Sequence, residues 1–109
     1  MIKMYGIKNC DSVRQAQKFL TANLVDFEFI DFRQNPIDEQ TLQSFIDAAG
    51  LDKIVNKRST TYRNLSENER QNPSLALILK NPTLIKRPVL VTLKGIEVGF
   101  SEKLYQRFI

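Results

Sequence analysis

The spacing of apolar side chains changes period several times along the chain, and each change marks an element. Ile2–Tyr5 is a short strand-like run closed by Gly6. Asp11 or Ser12 then stand where a helix is capped, and Val13, Ala16, Phe19 and Leu20 recur on one helical face. Asn23 is the expected stop. Phe27-Glu28-Phe29-Ile30-Asp31-Phe32 reads as a second, aromatic-rich strand. Strand, helix and strand within about 30 residues predict a βαβ unit, with a parallel pair and a right-handed crossover.

Asn35-Pro36 breaks the chain, and Asp38 is placed to cap a helix carrying Leu42, Phe45, Ile46 and Ala49, with Gly50 just past its end. From Leu51 to Asn72 the pattern is polar with short apolar pieces, which predicts short helices and loops. Pro73 is placed to open a further helix with Leu75, Ile78 and Leu79 facing inward, and Asn81-Pro82 ends it. After Arg87-Pro88, Val89-Leu90-Val91-Thr92-Leu93 is the strongest strand signal. Lys94-Gly95 then predicts a two-residue turn into a strand over Ile96–Phe100. Ser101 caps a last helix in which Leu104 and Phe108 share a face. Phe27, Phe29, Phe32 and Phe45 fit core packing. The order β-α-β, a helical middle, then β-β-α predicts an α/β chain of thioredoxin-like architecture. It has a mixed four-stranded sheet in a single domain over residues 1–109, with a helical insertion over residues 37–81.

Composition narrows the chemistry. At 109 residues, 42% hydrophobic and 26% charged, the chain matches ordinary globular proteins rather than disordered or fibrous ones. The net charge of +4 is spread widely, densest at Lys53, Lys57, Arg58 and Arg63, with Lys86 and Arg87 as a second cluster. An anionic substrate, a nucleic acid or a solvated surface all accommodate such an excess. No helix-turn-helix or basic stripe of base-reading spacing appears, so direct DNA binding is not expected. No segment approaches the roughly 20 apolar residues of a membrane span, and Met1–Gly6 leads into the fold without an apolar signal region. One cysteine forbids an intramolecular disulfide, and together these features point to the reducing cytoplasm. There is no histidine, which excludes His-based catalysis and ligation, and one cysteine without histidine argues against a zinc site.

Cys10 lies in Gly6-Ile7-Lys8-Asn9-Cys10-Asp11-Ser12, between the first strand and the first helix. A cysteine there faces the unpaired N–H groups and positive dipole end of the helix, which favour thiolate over thiol, and the thiolate is the nucleophile. Lys8 acts in the same direction, and Asp11 against it unless its side chain turns into a cap. Free cysteines are more often small buried residues, but the polar neighbours Lys8, Asn9, Asp11 and Ser12 argue against burial here. In a sheet of this architecture the Arg87-Pro88 loop lies beside the first strand–helix turn. Arg87, and Arg58 from the helical middle, are therefore candidates to surround the sulfur and dock an anion bidentately. Tyr62 and Arg63 read as ordinary surface.

Tyr5-Gly6-Ile7-Lys8-Asn9-Cys10-Asp11, Asn56-Lys57-Arg58, Ile85-Lys86-Arg87-Pro88 and Gly99-Phe100-Ser101 together resemble the arsenate reductase/Spx family, in particular its small YffB-like branch. The resemblance spans the whole chain. It implies a thioredoxin-like fold with a helical insertion, Cys10 as nucleophile, Arg58 and Arg87 at two oxyanion-binding positions, and Pro88 as the cis-proline facing the site. Two departures stand out. Phe100 occupies the place of a third arginine in the glutathione-coupled arsenate reductases. Val13 stands where many Spx regulators carry the second cysteine of a C-x-x-C switch.

These features imply a one-cysteine thiol oxidoreductase that uses glutathione as co-substrate and binds no resident cofactor. Lys8, Asn9, Arg58, Arg87 and Pro88 form the expected binding set, with Cys10, Arg58 and Arg87 as the catalytic one. The partner is glutathione or another small thiol or oxyanion, or a protein disulfide. Arsenate reduction by the same residues is one alternative. A non-catalytic, Spx-like regulator that binds RNA polymerase is the other.

Overall fold

The computed structural model describes residues 1–109. The chain divides into two compact units, one of residues 1–35 and 87–109, the other of residues 36–86. The residues 37–81 of the expected insertion fall within the second.

In the first unit, β1 (Ile2–Gly6) leads into α1 (Asp11–Ala22), which returns to β2 (Phe27–Asp31). β1 and β2 pair in parallel, Met4 opposite Phe29 and Gly6 opposite Asp31. α1 holds to the sheet through Val13, Ala16 and Leu20, all fully buried at the predicted helical spacing. Gly6 makes that approach possible, because a Cβ there would lie 2.7 Å from Val13 Cγ2. Asn23 ends the helix as expected, its side chain donating to the Phe19 carbonyl at 2.8 Å.

In the second unit, α2 (Glu39–Ala49) starts at Asp38, whose carboxylate accepts the Thr41 N–H at 2.7 Å. Thr41, through its side chain first and this backbone N–H second, holds the Asp38 carboxyl below the usual aspartate range. Gly50, with φ +88° and ψ 145°, ends α2 and opens α3 (Leu51–Ile54), a conformation that side chains resist. α4 (Thr60–Arg63), α5 (Glu67–Gln71) and α6 (Leu75–Lys80) follow, each begun by a serine whose hydroxyl accepts a first-turn N–H. For α6 the cap is Ser74 rather than Pro73 as the opening residue, because the serine oxygen satisfies the Leu77 N–H, which proline cannot do. An antiparallel bridge between Val55 and Ile85, with Asn56 N–H to Leu84 O and Lys86 N–H to Ile54 O both at 2.7 Å, ties the segment that follows α3 to the last residues of the unit. Leu42, Phe45, Ile54, Val55, Ile78, Leu84 and Ile85 are its buried side chains.

The chain then re-enters the first unit as β3 (Val89–Thr92), antiparallel to β1, and turns into β4 (Gly95–Val98). Sheet order is β2-β1-β3-β4, the mixed four-stranded thioredoxin-like arrangement that the element order predicts. The turn falls on Leu93-Lys94, one place earlier than expected. Thr92 Oγ1 accepts the Lys94 N–H at 3.0 Å, and Gly95 is drawn into the ladder opposite Thr92. Ser101 caps α7 (Glu102–Tyr105) as expected, but the residue it buries is Tyr105 and not Leu104, which remains 40% exposed. Tyr105 closes an aromatic cluster with Phe19, Phe100 and Phe108 against Met4, Leu90 and the buried face of α1.

Candidate functional site

The parallel β1–β2 pair and the antiparallel β1–β3 pair bring three strand ends to one edge of the sheet. Gly6 and Asp31 end their strands there, and Val89, opposite Tyr5, begins β3. The turn Ile7–Cys10 leaves β1 at this edge, and Arg87-Pro88 enter β3 at it. Lys8 and Asn9 are exposed, Pro88 is buried and Arg87 is partly buried. The Arg87–Pro88 peptide is cis, the isomer the family resemblance implied, and the Pro88 carbonyl accepts the Gly99 N–H at 2.8 Å.

Cys10 is itself the N-cap of α1, where Asp11 or Ser12 were expected. Its backbone is extended (φ −138°, ψ 123°), and its carbonyl accepts the Arg14 N–H at 3.0 Å. Its sulfur makes no cap hydrogen bond. The first-turn N–H groups and the positive end of a 12-residue helix therefore stand beside a thiol that is free of any disulfide. The side chain packs in part on the core cluster and stays partly exposed, so it is neither sealed in nor detached. Asp11 is ion-paired with Arg14 instead of capping the helix. Both partners are largely exposed, and such a pair contributes little to stability.

Lys8, Asn9, Cys10, Arg87 and Pro88 thus meet at one edge of the first unit. Arg58 belongs to the second unit. Its N–H donates to Asn56 Oδ1 at 3.1 Å, and it lines a cavity of about 340 Å³ with Lys53, Lys57 and Lys86. Lys57 reaches Asp52 there at 3.6 Å. The two basic clusters noted in the sequence share this cavity through Lys86. Phe100 is engaged by aromatic neighbours, with ring centroids 5.8 Å from Phe19 and 4.9 Å from Tyr105. The position at which the family resemblance implied a third arginine is here an apolar packing position.

The sequence reading passed over Asp31. It is buried at 7% exposure, and its carboxylate accepts the Lys8 N–H at 3.3 Å and the Arg33 N–H at 2.9 Å. The available signal was an acidic residue inside the apolar run Phe29–Phe32, at the end of a parallel strand, where apolar side chains are the rule.

Comparison with known proteins agrees with this geometry. The ArsC family model matches residues 5–108. An uncharacterized protein of Haemophilus influenzae is 41% identical over 110 residues, covering 97% of this chain and 96% of its own. The global transcriptional regulator Spx 2 of Bacillus anthracis is 25% identical over 114 residues, covering 100% of this chain and 87% of its own. The solved structure of the YFFB (PA3664) protein superposes with a TM-score of 0.90 at 32% identity, covering 98% of this chain and 97% of that one. With the family model spanning nearly its whole length, the chain belongs to the ArsC family.

Proposed function

We propose that the protein is a glutathione-dependent thiol oxidoreductase with Cys10 as its only nucleophile. The observation that supports this most is the start of α1, where the cap position is filled by a partly exposed thiol whose sulfur is committed to no hydrogen bond. The N–H groups there stabilise negative charge, and the thiolate is the attacking form. In the proposed cycle, Cys10 thiolate attacks the glutathione-side sulfur of a mixed disulfide R–S–S–G and releases R–S⁻, which takes up a proton. Glutathione thiolate then attacks the Cys10–glutathione disulfide, giving oxidised glutathione and restoring Cys10. The external thiol is required because the chain holds no second cysteine. Lys8 and Arg87 supply positive charge at the same sheet edge, and Arg87 is the candidate to hold a glutathione carboxylate bidentately.

Mass spectrometry after exposure to oxidised glutathione tests the reading. The expected result is a single glutathione adduct on Cys10 that is reversed by reduced glutathione and forms more slowly in Arg87→Ala. No adduct, or one that forms no faster than on an unstructured cysteine peptide, overturns it. Arsenate as substrate is disfavoured by Phe100, whose aromatic packing leaves that position without a cation.

A second reading is favoured by the full-length match to Spx regulators, namely a binding module that engages RNA polymerase without turnover. Polymerase co-purification that survives Cys10→Ser, together with no thiol exchange by the wild type, supports the second reading over the first.

A further inference from the structure

Asp31 is the one charged side chain buried in the protein. A buried carboxylate is costly unless its oxygens are hydrogen-bonded, and the ion pairs Asp11–Arg14, Asp52–Lys57 and Glu97–Arg107 leave Asp31 aside. Its two oxygens do separate jobs. Oδ1 accepts the Arg33 N–H at 2.9 Å, two residues on, which closes a local turn of the kind aspartate favours. Oδ2 accepts the Lys8 N–H at 3.3 Å, 23 residues back in the chain. The β1–β2 ladder ends with Phe32 N–H to Gly6 O at 3.0 Å, and the helical bonds begin with Arg14 N–H to Cys10 O at 3.0 Å. The Lys8–Asp31 bond falls between them, in the stretch that aims Cys10.

We infer that Asp31 is the positioning residue of the Cys10 site. Its carboxylate clamps the Ile7–Cys10 turn through the Lys8 N–H and so holds the sulfur at the open end of α1. The inference rests on the reading of Cys10 as nucleophile. The bidentate arrangement makes aspartate specific at this position, since an asparagine presents one oxygen and must set its NH₂ group against one of the two N–H donors. A serine likewise accepts at one point.

Two measurements test this. In the native chain, amide hydrogen exchange by NMR is expected to show Lys8 N–H protected relative to Asn9. In Asp31→Asn and Asp31→Ser, with far-UV circular dichroism verifying the fold, alkylation of Cys10 by iodoacetamide at pH 7 is expected to slow about two- to fivefold, the size of a helix-terminus interaction, with its pH profile displaced to higher pH. Removing a nearby negative charge without moving the turn has the opposite sign and speeds alkylation, so the direction separates positioning from charge. An unchanged or faster rate overturns the inference, as does a wild-type Lys8 N–H that exchanges as freely as Asn9. Should wild-type Cys10 alkylate no faster than an unstructured thiol, the functional reading fails. A further slowing in both variants against that baseline still supports the clamp.

Discussion

Helix α1 begins by a different means from the helices with side-chain caps, α7 of its own unit among them, where the Ser101 hydroxyl accepts the Leu104 N–H. In the second unit, Asp38, Ser59, Ser66 and Ser74 each place a side-chain oxygen on a first-turn N–H, and Ser66 forms a complete capping box with Glu69. α4, α5 and α6 have only four to six residues, and short helices need such local support. In the first unit, α1 is the longest helix at 12 residues and begins at a cysteine that caps nothing. It is held instead by tertiary burial of Val13, Ala16 and Leu20 against the sheet. A helix secured by packing can leave its N-terminus open, and an open N-terminus with a thiol is where the chemistry is proposed. Capping and reactivity compete for the same N–H groups.

Cys10→Ser breaks this contrast most severely. Serine is a good cap, so the substitution is expected to give α1 the hydrogen bond it lacks. The glutathione adduct is expected to vanish entirely, while the thermal midpoint stays at or above that of the wild type. Ser74→Ala in the second unit is the mirror case, with thiol chemistry intact and stability lowered by about 1 kcal/mol, read from urea unfolding. A Cys10→Ser protein that is less stable than Ser74→Ala would show that the sulfur contributes by packing alone.

The glycines sharpen the same comparison. Gly6 is required for space, since its Cβ would meet the fully buried, β-branched Val13. Gly6→Ala is expected to cost about 1–3 kcal/mol by overpacking and to disturb Cys10 alkylation, because the shifted helix carries Cys10 with it. Gly50 has nothing within 4 Å of such a Cβ but a φ of +88°. Gly50→Ala is therefore expected to cost a similar amount through backbone strain, of order 1–3 kcal/mol, with Cys10 chemistry unchanged. Unfolding curves and alkylation rates of the two variants separate these effects.

Much of this was legible in the sequence because it depends on near neighbours. Apolar spacing identified α1 and α2, and Asp38, Gly50, Asn23 and Ser101 marked element ends by local chemistry. Cys10 was found because strand, polar turn and helix follow one another directly. What escaped depends on contacts across the fold. The Asp31 carboxylate meets Lys8 only once β1 and β2 pair, and an acidic residue ending an apolar strand does not by itself say which N–H groups it accepts. Tyr105 was overlooked because α7 turns it, rather than Leu104, onto the aromatic cluster. Arg87 was a candidate from element order alone, since its loop leads into the strand beside β1. Arg58 read only as a basic residue of the helical middle, and the folded chain alone assigns it to the lysine-lined cavity. The hairpin turn slipped by one residue because the Thr92 hydroxyl, not the glycine, decides where it closes.

The smallest expected effect concerns Tyr105, the buried ring beneath α1. Its hydroxyl is fully buried without a hydrogen-bond partner. Burial, and secondarily the charge of Glu97, push its ionisation well above the ordinary tyrosine value near 10. Tyr105→Phe removes an unsatisfied polar atom and keeps the ring contacts, so stability at neutral pH is expected to be unchanged or raised by up to about 1 kcal/mol. The sign with pH follows from linkage. A group whose folded ionisation is raised contributes fully below its unfolded value, and loses that contribution as pH rises toward the folded one. The wild type is therefore expected to lose thermal stability above about pH 10 more steeply than Tyr105→Phe, with the Tyr105 phenolate absorbance appearing only as the chain unfolds. Parallel alkaline melting curves for the two proteins would show instead that the hydroxyl reaches solvent, and with it that the aromatic cluster under α1 is looser than the burial of Val13 and Leu20 requires.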